Sequence, residues 1–468
     1  MTAPSPQTGS SPTEFSHVEL RSAYADSVTL LQVSRGVAEL PGVISAQVAM
    51  ATPLNLEVLA SMGFQVPSNA SVNDMVVALR LTGADQLVSA LAGVESVLAQ
   101  ANRRPSGSST VAPPRTTGSA LRLNPGGLVL ISTPGASAVV EAVDALEAGS
   151  DVMIFSDNVP IAHEVALKQR AARDGLLVMG PDCGTAIVGG VGLGFANVVV
   201  PGAVGIVAAS GTGAQQMLAL LDHAGVGVGD VLGVGGRDLS AEVGALSTKQ
   251  ALARLDAAGL DLVVVLSKPA AAEVAAEVAS QVAGMDTPVH LGVLGEGQPD
   301  LTATAEAVLA TLQVPVPAWP VLGAARPSRG GTTLHGLYAG GTLAAEASII
   351  AGPGHEIIDF GDDAYTTGRA HPMIDPTLRN ERMLAVAGDP RTGVIVVDVV
   401  LGNAAEEDPA AVLAPLIGQI DVPVIVSLIG TTTDPQGWRR QADALVAAGA
   451  EVHLSNASAV RRGLELIA

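Results

Sequence analysis

Apolar residues in the second half of the chain recur in short runs, each followed by a glycine-rich turn and an alanine-rich stretch. The run Gly205–Ala209 leads into Ser210-Gly211-Thr212-Gly213, and a later segment reaches Gly340-Gly341-Thr342 before another alanine-rich stretch. Short apolar runs that alternate with helical segments predict parallel strands joined by right-handed crossovers. The pattern therefore predicts two copies of one strand–turn–helix module.

Features downstream of the two turns recur in the same order, which supports the duplication. Residues 231–238 correspond to 357–363, the apolar strand 262–266 corresponds to 394–400, and the strand at Pro288-Val289 corresponds to that at Pro423-Val424. The first amide groups of a helix bind anions. Two such modules facing each other would form one site for a phosphate or a carboxylate.

The first half of the chain predicts a different organisation. Strand-like and helical segments alternate over residues 16–101, and their order predicts a small antiparallel sheet with helices on one face. Residues 1–15 are predicted to be disordered. The other predicted segments are a linker at 102–118, a Rossmann-like domain at 119–200, the first module at 201–315, a proline-rich hinge at 316–330 and the second module at 331–468.

Composition narrows the classes of function. The net charge of −21 argues against nucleic acids and anionic membranes as partners. Cys183, the only cysteine, cannot form an internal disulfide, and the N-terminus lacks the pattern of a signal peptide, so a cytoplasmic protein is expected. The uncharged stretch 187–210 contains six glycines and predicts two buried strands, not a membrane span.

Several motifs between Leu128 and Gly295 resemble the alpha subunit of succinyl-CoA synthetase. They are the Gly-Pro-Asp-Cys turn at 180–183, the Ser-Gly-Thr helix start at 210–212 and the Gly-Val-Gly-Gly turn at 233–236. Residues 355–430 resemble the ligase domain of the beta subunit, in which 396–403 would begin a phosphate-facing helix. An alpha-like part fused to a beta-like part without an ATP-grasp domain resembles the FdrA family, as do the segments 24–28, 50–55 and 371–382.

The resemblance implies an α/β fold class: several Rossmann-like or flavodoxin-like parallel-sheet domains, as in succinyl-CoA synthetase, and a small N-terminal α+β domain. Two departures bear on its chemistry. The Gly-His-Ala-Gly-Ala loop, which carries the phosphorylated histidine of the synthetases, is absent, and residues 295–299 stand in its place. Lys268 occupies the position of the glutamate that partners that histidine, which suits a free anion. The glycine spacing expected for a CoA loop is missing at 130–135, so CoA is not assigned as a cofactor.

These considerations select a set of candidate residues. Lys268, Asn403 and His371 are the catalytic candidates. Candidate ligands of phosphate or substrate are Ser210, Gly211, Thr212, Gly213, Gly402, Ala404, Arg369, Arg379, Gly235, Gly236, Asp182 and Cys183. Each has a plainer interpretation: a helix cap for 210–213, a turn for 402–404, surface ion pairs for the arginines and an inert thiol for Cys183. Asp362 and Asp363 are predicted to form a solvated turn, and no metal site is assigned.

Three functions from different classes remain open. The FdrA resemblance implies a carbamoyltransferase that moves a carbamoyl group between the amide nitrogen of oxamate and phosphate, with carbamoyl phosphate as a substrate and other subunits of a complex as partners. The alternatives are an ADP-forming acyl-CoA synthetase and a non-catalytic scaffold or regulatory subunit. In each case we expect small anionic substrates or ligands and a homo- or hetero-oligomer.

Overall fold

The computed structural model describes residues 14–101 and 114–468. Most of the predicted disordered N-terminus (1–15) and of the predicted linker (102–118) lies outside these ranges. The chain divides into two compact units, which are Met1–Val111 with Ala364–Asp375, and Ala112–Asp363 with Pro376–Ala468. Within the described ranges, no helix is both long and apolar enough to cross a membrane.

The first unit is built on a three-stranded antiparallel sheet in the order β1-β3-β2. Its elements are β1 (Phe15–Arg21), α1 (Ser27–Ala38), β2 (Val43–Met50), α2 (Pro53–Ser61), β3 (Met75–Leu81), a 3₁₀ turn (Ala84–Gln86) and α3 (Leu87–Ala101).

Both faces of strand β3 are covered. Val77 and Leu79 pack in one apolar cluster with residues of α1 and α3, whereas Val76 packs on the other face beside Leu59 of α2. The expectation that all helices lie on one face is therefore wrong. The physical reason is visible in β3 itself, whose first five residues are all apolar, so that neither face is suited to water.

The second unit begins with a small parallel sheet in the order β4-β5-β6, covered by helices. Its elements are α4 (Thr117–Leu123), β4 (Val129–Ile131), α5 (Gly135–Glu147), β5 (Val152–Ile154), α6 (Ile161–Asp174) and β6 (Val178–Met179).

The first module follows as a six-stranded sheet in the order β12-β11-β9-β10-β7-β8. Strand β7 is antiparallel to its two neighbours, and the other pairs are parallel. The elements are β7 (Thr185–Val188), β8 (Val191–Gly194), β9 (Pro201–Ala209), α7 (Gly211–His223), β10 (Val228–Gly233), α8 (Leu246–Asp256), β11 (Leu262–Ser267), α9 (Ala272–Val282), β12 (Val289–Val293) and α10 (Leu301–Thr311).

The second module is another six-stranded sheet, in the order β13-β18-β17-β16-β14-β15, with only β13 antiparallel. The elements are β13 (Val321–Leu322), β14 (Thr333–Tyr338), α11 (Gly341–Ala351), β15 (Glu356–Asp359), α13 (Thr377–Ala387), β16 (Thr392–Val400), α14 (Pro409–Gln419), β17 (Val424–Ile429), α15 (Trp438–Ala447), β18 (Glu451–His453) and α16 (Asn456–Ile467). Helix α12 (Asp363–Thr366) lies between β15 and α13 in the chain, and its last three residues belong to the first unit.

The strand order confirms the duplication predicted from the sequence. The order β10-β9-β11-β12 in the first module matches β15-β14-β16-β17 in the second, so that each glycine-rich turn follows the strand with the equivalent position. The α/β class with several parallel sheets and a small N-terminal α+β domain is likewise confirmed. Parallel sheets collect their functional residues at the carboxyl ends of the strands, which is where both turns lie.

Candidate functional site

The first glycine-rich turn is a capped helix start, as the sequence predicts. Strand β9 ends at Ala209, and the Ser210 side chain accepts a hydrogen bond from the amide of Gly213 (2.9 Å) at the beginning of α7. Ser210 and most of α7 are buried, whereas Gly211 keeps partial exposure. The helix start is therefore rigid and can still be approached at its first residue.

The helix start that faces α7 is that of α11. The Ser210 hydroxyl donates to the Thr342 hydroxyl (2.7 Å), and a side-chain carbon at Gly340 would lie only 2.8 Å from the side chain of Thr212. No side chain caps α11, so its first amides keep their hydrogen-bonding capacity. The two modules thus bring two helix N-termini into contact at the carboxyl ends of their sheets.

Lys268 lies at the same place. It follows strand β11, and its Nζ is 2.6 Å from the position that a side-chain carbon at Gly341 would occupy. Lys268 Nζ is also 3.9 Å from Asp359 Oδ2, at the end of β15. Its side chain is 43% exposed, so the ammonium group faces solvent at the start of α11. A cation beside two helix N-termini is suited to an anion.

Two carboxyl groups surround this cation and titrate near neutral pH. Burial raises the pKa of Asp359 to about 6, although Lys268 opposes the shift. Solvent reaches the surface of Asp182, but the protein around its carboxyl group raises the pKa to about 7 by desolvation, and Asp157 adds to the increase. We call the set formed by residues 210–213, 340–342, Lys268, Asp182 and Asp359 the paired-helix site.

The predicted turns 180–183 and 235–236 pack against each other next to the Asp182 side chain. Gly235 adopts a left-handed φ of 90°, and its Cα approaches Pro181 so closely that a side chain would collide with the Pro181 carbonyl. A side chain at Gly236 would lie 3.7 Å from the Asp182 carboxylate. Cys183 is buried, and desolvation raises its pKa to about 12, so the thiol is not a ligand or a nucleophile here.

The expectation that a phosphate-facing helix begins at the end of residues 396–403 is wrong. Strand β16 ends at Val400, and helix α14 begins only at Pro409 with Asp408 as its cap. The amides of Gly402 and Asn403 are used within the protein, donating to Gln436 Oε1 (3.3 Å) and to the Ala196 carbonyl (3.1 Å). Roles of Gly402, Asn403 and Ala404 in anion binding stay predictions, without a helix start to support them.

Arg379 does not face solvent, contrary to the expectation that it binds the carboxylate of a substrate. It is 5% exposed, and its Nη1 donates to the main-chain oxygen (2.7 Å) and to Oδ1 (3.1 Å) of Asp398. Asp398 is a buried acid near the carboxyl end of strand β16, and a buried acid requires a cation, which Arg379 supplies.

Arg369 and His371 belong to the segment Ala364–Asp375 of the first unit. Arg369 donates to Asp375 (2.9 Å) and to Asn55 (3.3 Å), and Asn55 binds the Gly368 carbonyl in return. Burial lowers the pKa of His371 to about 4, and its Nδ1 accepts from the amide of Met373. These contacts hold the segment on the first unit, and functional roles for the two residues stay predictions.

Residues that the candidate set omitted are Gly341, Thr342 and Asp359. The signal was present, because the internal repeat aligns 340–342 with 210–212 and places residue 359 at the end of the next strand. The resemblance to the beta subunit instead assigned the second anion-binding turn to Gly402–Ala404, after the longer apolar strand.

Comparisons with known proteins identify two family matches and a relative that spans most of the chain. Residues 337–464 match the CoA-ligase family, and residues 15–114 match a family described as AllF, heavy metal-associated domain. The uncharacterized protein YahF of Escherichia coli is 34% identical over an alignment of 488 positions. The alignment covers 91% of this chain and 93% of YahF.

Two further similarities are more distant. The alpha 2 subunit of an ADP-forming succinate–CoA ligase from Archaeoglobus fulgidus is 34% identical over 114 residues, or 23% of this chain and 39% of that protein. The structure of a dinucleotide-forming acetyl-coenzyme A synthetase 1 from Ca. Korarchaeum cryptofilum aligns with 73% of this chain and 84% of its own, at 14% identity and a TM-score of 0.28.

The name of the N-terminal family raises the question of a metal. Residues 15–114 contain no cysteine and one histidine, His17. Over the described ranges, no group of three His, Cys, Asp or Glu side chains is arranged to hold an ion. These residues do not fit a thiolate metal site, and we derive no step through a metal.

The carbamoyltransferase prediction is wrong. The family match over 337–464 is to a CoA-ligase, and the relatives of the alpha-like part are succinate–CoA ligase subunits, which support the acyl-CoA synthetase alternative. The finer assignment to FdrA stays a prediction. Similarity over nearly the whole of both chains shows that this protein belongs to the family of YahF, within the acyl-CoA synthetase superfamily.

Proposed function

We propose that the protein transfers an acyl group between the sulfur of coenzyme A and an oxygen of phosphate, with the phosphoryl group held at the paired-helix site. The observation that carries the proposal is the contact between the starts of α7 and α11 with Lys268 beside them. The main alternative within the superfamily, a phosphohistidine relay, has no support in the sequence because the loop for it is absent.

A buried hydroxyl supports an anion at this place. Thr185 is 1% exposed, and its Oγ1 has no hydrogen-bond partner among the described residues. That oxygen lies 3.7 Å from the position of a side-chain carbon at Gly211, which is the first residue of α7. An unsatisfied buried hydroxyl is costly, and an acceptor bound at the helix start would satisfy it.

We propose that coenzyme A binds at the small parallel sheet. Helices α5 and α6 begin after β4 and β5 with Pro134 and Pro160 at their caps, and no side chain satisfies their first amides. These two starts would bind the phosphate groups of CoA, because uncapped helix amides are suited to phosphate. When bound, CoA supplies the thiol that accepts or releases the acyl group.

The reaction balances without a further reactant. Hydrogen phosphate attacks the thioester carbonyl, the carbon–sulfur bond breaks, a carbon–oxygen bond forms, and the phosphate proton passes to the departing thiolate. The helix amides and Lys268 would hold the phosphate and stabilise charge in the transition state. Asp182 or Asp359, with pKa values of about 7 and 6, would carry the proton.

The test is phosphate-dependent release of thiol from acetyl-CoA and succinyl-CoA, with hydroxylamine present to trap acyl phosphate. We expect thiol release and hydroxamate in equal amounts with the wild type and a strong loss with Lys268→Met. Lys249→Met is the matched control, because Lys249 pairs with Glu277 at the surface. Thiol release that is independent of phosphate, or equal in Lys268→Met and the wild type, would contradict the proposal.

A further inference from the structure

A buried carboxylate holds the turn that begins α11. Asp398, in strand β16, is fully buried, and its carboxylate accepts hydrogen bonds from the amides of Ala339 and Gly340, both at 2.7 Å. These are the two residues between the end of β14 and the first residue of α11. Asp398 therefore determines where the chain leaves the sheet and where the first amides of α11 point.

The same carboxylate is a negative charge next to an anion site. Gly340, to which it binds, is one residue from the start of α11, and Lys268 approaches that start from the other module. A lone buried charge at this distance would oppose an anion, because the effective dielectric of protein is well below that of water.

Arg379 neutralises the charge of the Asp398 carboxylate. Its Nη1 binds both Oδ1 and the main-chain oxygen of Asp398, and its side chain is 6% exposed, so it has almost no contact with solvent. Burial raises the pKa of Asp398, and Arg379 and the two amides oppose that shift by favouring the ionised form. The turn before α11 thus has a charged acceptor for its two amides, the Asp398 carboxylate, and Arg379 removes the net negative charge there.

We propose that Asp398 and Arg379 are a positioning pair for the paired-helix site: Asp398 orients the start of α11, and Arg379 neutralises Asp398 so that an anion can bind. The inference rests on the proposed function, since it concerns the same site. It assigns to both residues a role through α11, with no contact to the substrate.

The experiment measures the affinity of the full-length protein for inorganic phosphate by calorimetry at two salt concentrations. We expect Arg379→Met to weaken phosphate binding roughly tenfold or more, because Asp398 is left uncompensated. Asp398→Asn in the Arg379→Met background should recover part of that loss, because the pair is again neutral, although Asn offers only one oxygen to the amides of Ala339 and Gly340. Arg379→Lys should stay close to the wild type, and Arg462→Met, which removes an ion pair with Glu451 on β18, is the control.

The double variant separates this role from a merely structural one. If it binds phosphate no better than Arg379→Met, or if Arg379→Met binds like the wild type, the inference is wrong. If Arg379→Met does not fold, Asp398→Asn alone decides, since an uncompensated Arg379 should make phosphate binding more salt-dependent, and unchanged salt dependence would overturn the pair. Absence of phosphate binding in the wild type would instead refute the proposed function, and Lys268→Met distinguishes the two failures.

Discussion

Lys268 gives the sharpest test of the paired-helix site. Replacement by Met keeps the apolar stem of the side chain and removes only the charge. A hydrogen bond to a charged group contributes about 1.5–3 kcal/mol. The side chain is 43% exposed and lies 3.9 Å from Asp359, so solvent and a neighbouring carboxylate both screen it and the lower end applies. About 1.5 kcal/mol corresponds to roughly a tenfold loss of phosphate affinity.

The assay is titration of the full-length protein with phosphate at constant ionic strength, because surface electrostatics depends on salt. Lys268→Glu should bind more weakly than Lys268→Met, since it adds repulsion to the lost attraction. Lys249→Met should bind like the wild type, because its partner Glu277 is a surface residue outside the site. Wild-type affinity in Lys268→Glu would mean that Lys268 is only a surface cation, and the reasoning from its place beside Gly341 would fail.

Three further predictions concern other charged and reactive groups. Sulfate, whose charge is constant near neutral pH, should bind more tightly as the pH falls from about 8 to about 5.5. The reason is that Asp182 and Asp359 become neutral as the pH falls through their pKa values of about 7 and 6. The double variant with Asn at both positions should lose this pH dependence of sulfate binding. Cys183, buried and with a pKa of about 12, should resist iodoacetamide at pH 8 until guanidinium unfolds the protein, and rapid native labelling would contradict its burial. Lys168→Met should destabilise the protein by about 3–5 kcal/mol, measured in denaturant melts, because it removes the buried cation from Asp238 and leaves Glu164 with Arg237 alone. Lys249→Met should change stability by less than about 1 kcal/mol.

The duplicated module was predictable because its signals are local. Each copy has an apolar strand, a glycine turn and an alanine-rich helix, and these depend on propensity and periodicity. Ser210 was also recognisable, since a serine between a strand and a helix is a preferred cap. Thr342 could have been recognised as well, because aligning the two turns pairs it with Thr212 at the start of α7.

The start of α14 was mispredicted for a reason that lies in tertiary contacts. Gly402-Asn403 follows a buried strand, as a phosphate-binding turn would, but Gln436 and the Ala196 carbonyl occupy its amides. The better signal was Asp408-Pro409, a capping acid followed by a proline at the first helical position.

Arg379 shows what single-residue reasoning misses. An arginine in a polar segment is indistinguishable from a surface cation until its partner is known. The partner was visible as Asp398, the only charged residue between Val394 and Val400. A buried acid demands hydrogen bonds and a counter-charge, but sequence spacing does not say which arginine supplies it.

The hydrogen bond between Ser210 and Thr342 joins two helices that belong to one polypeptide. Their encounter is intramolecular, so its effective concentration is determined by the fold and does not fall when the protein is diluted. An anion that bridges the two starts would therefore bind with an affinity independent of protein concentration. It also follows that the two halves are present in equal number in every cell, whatever the level of expression.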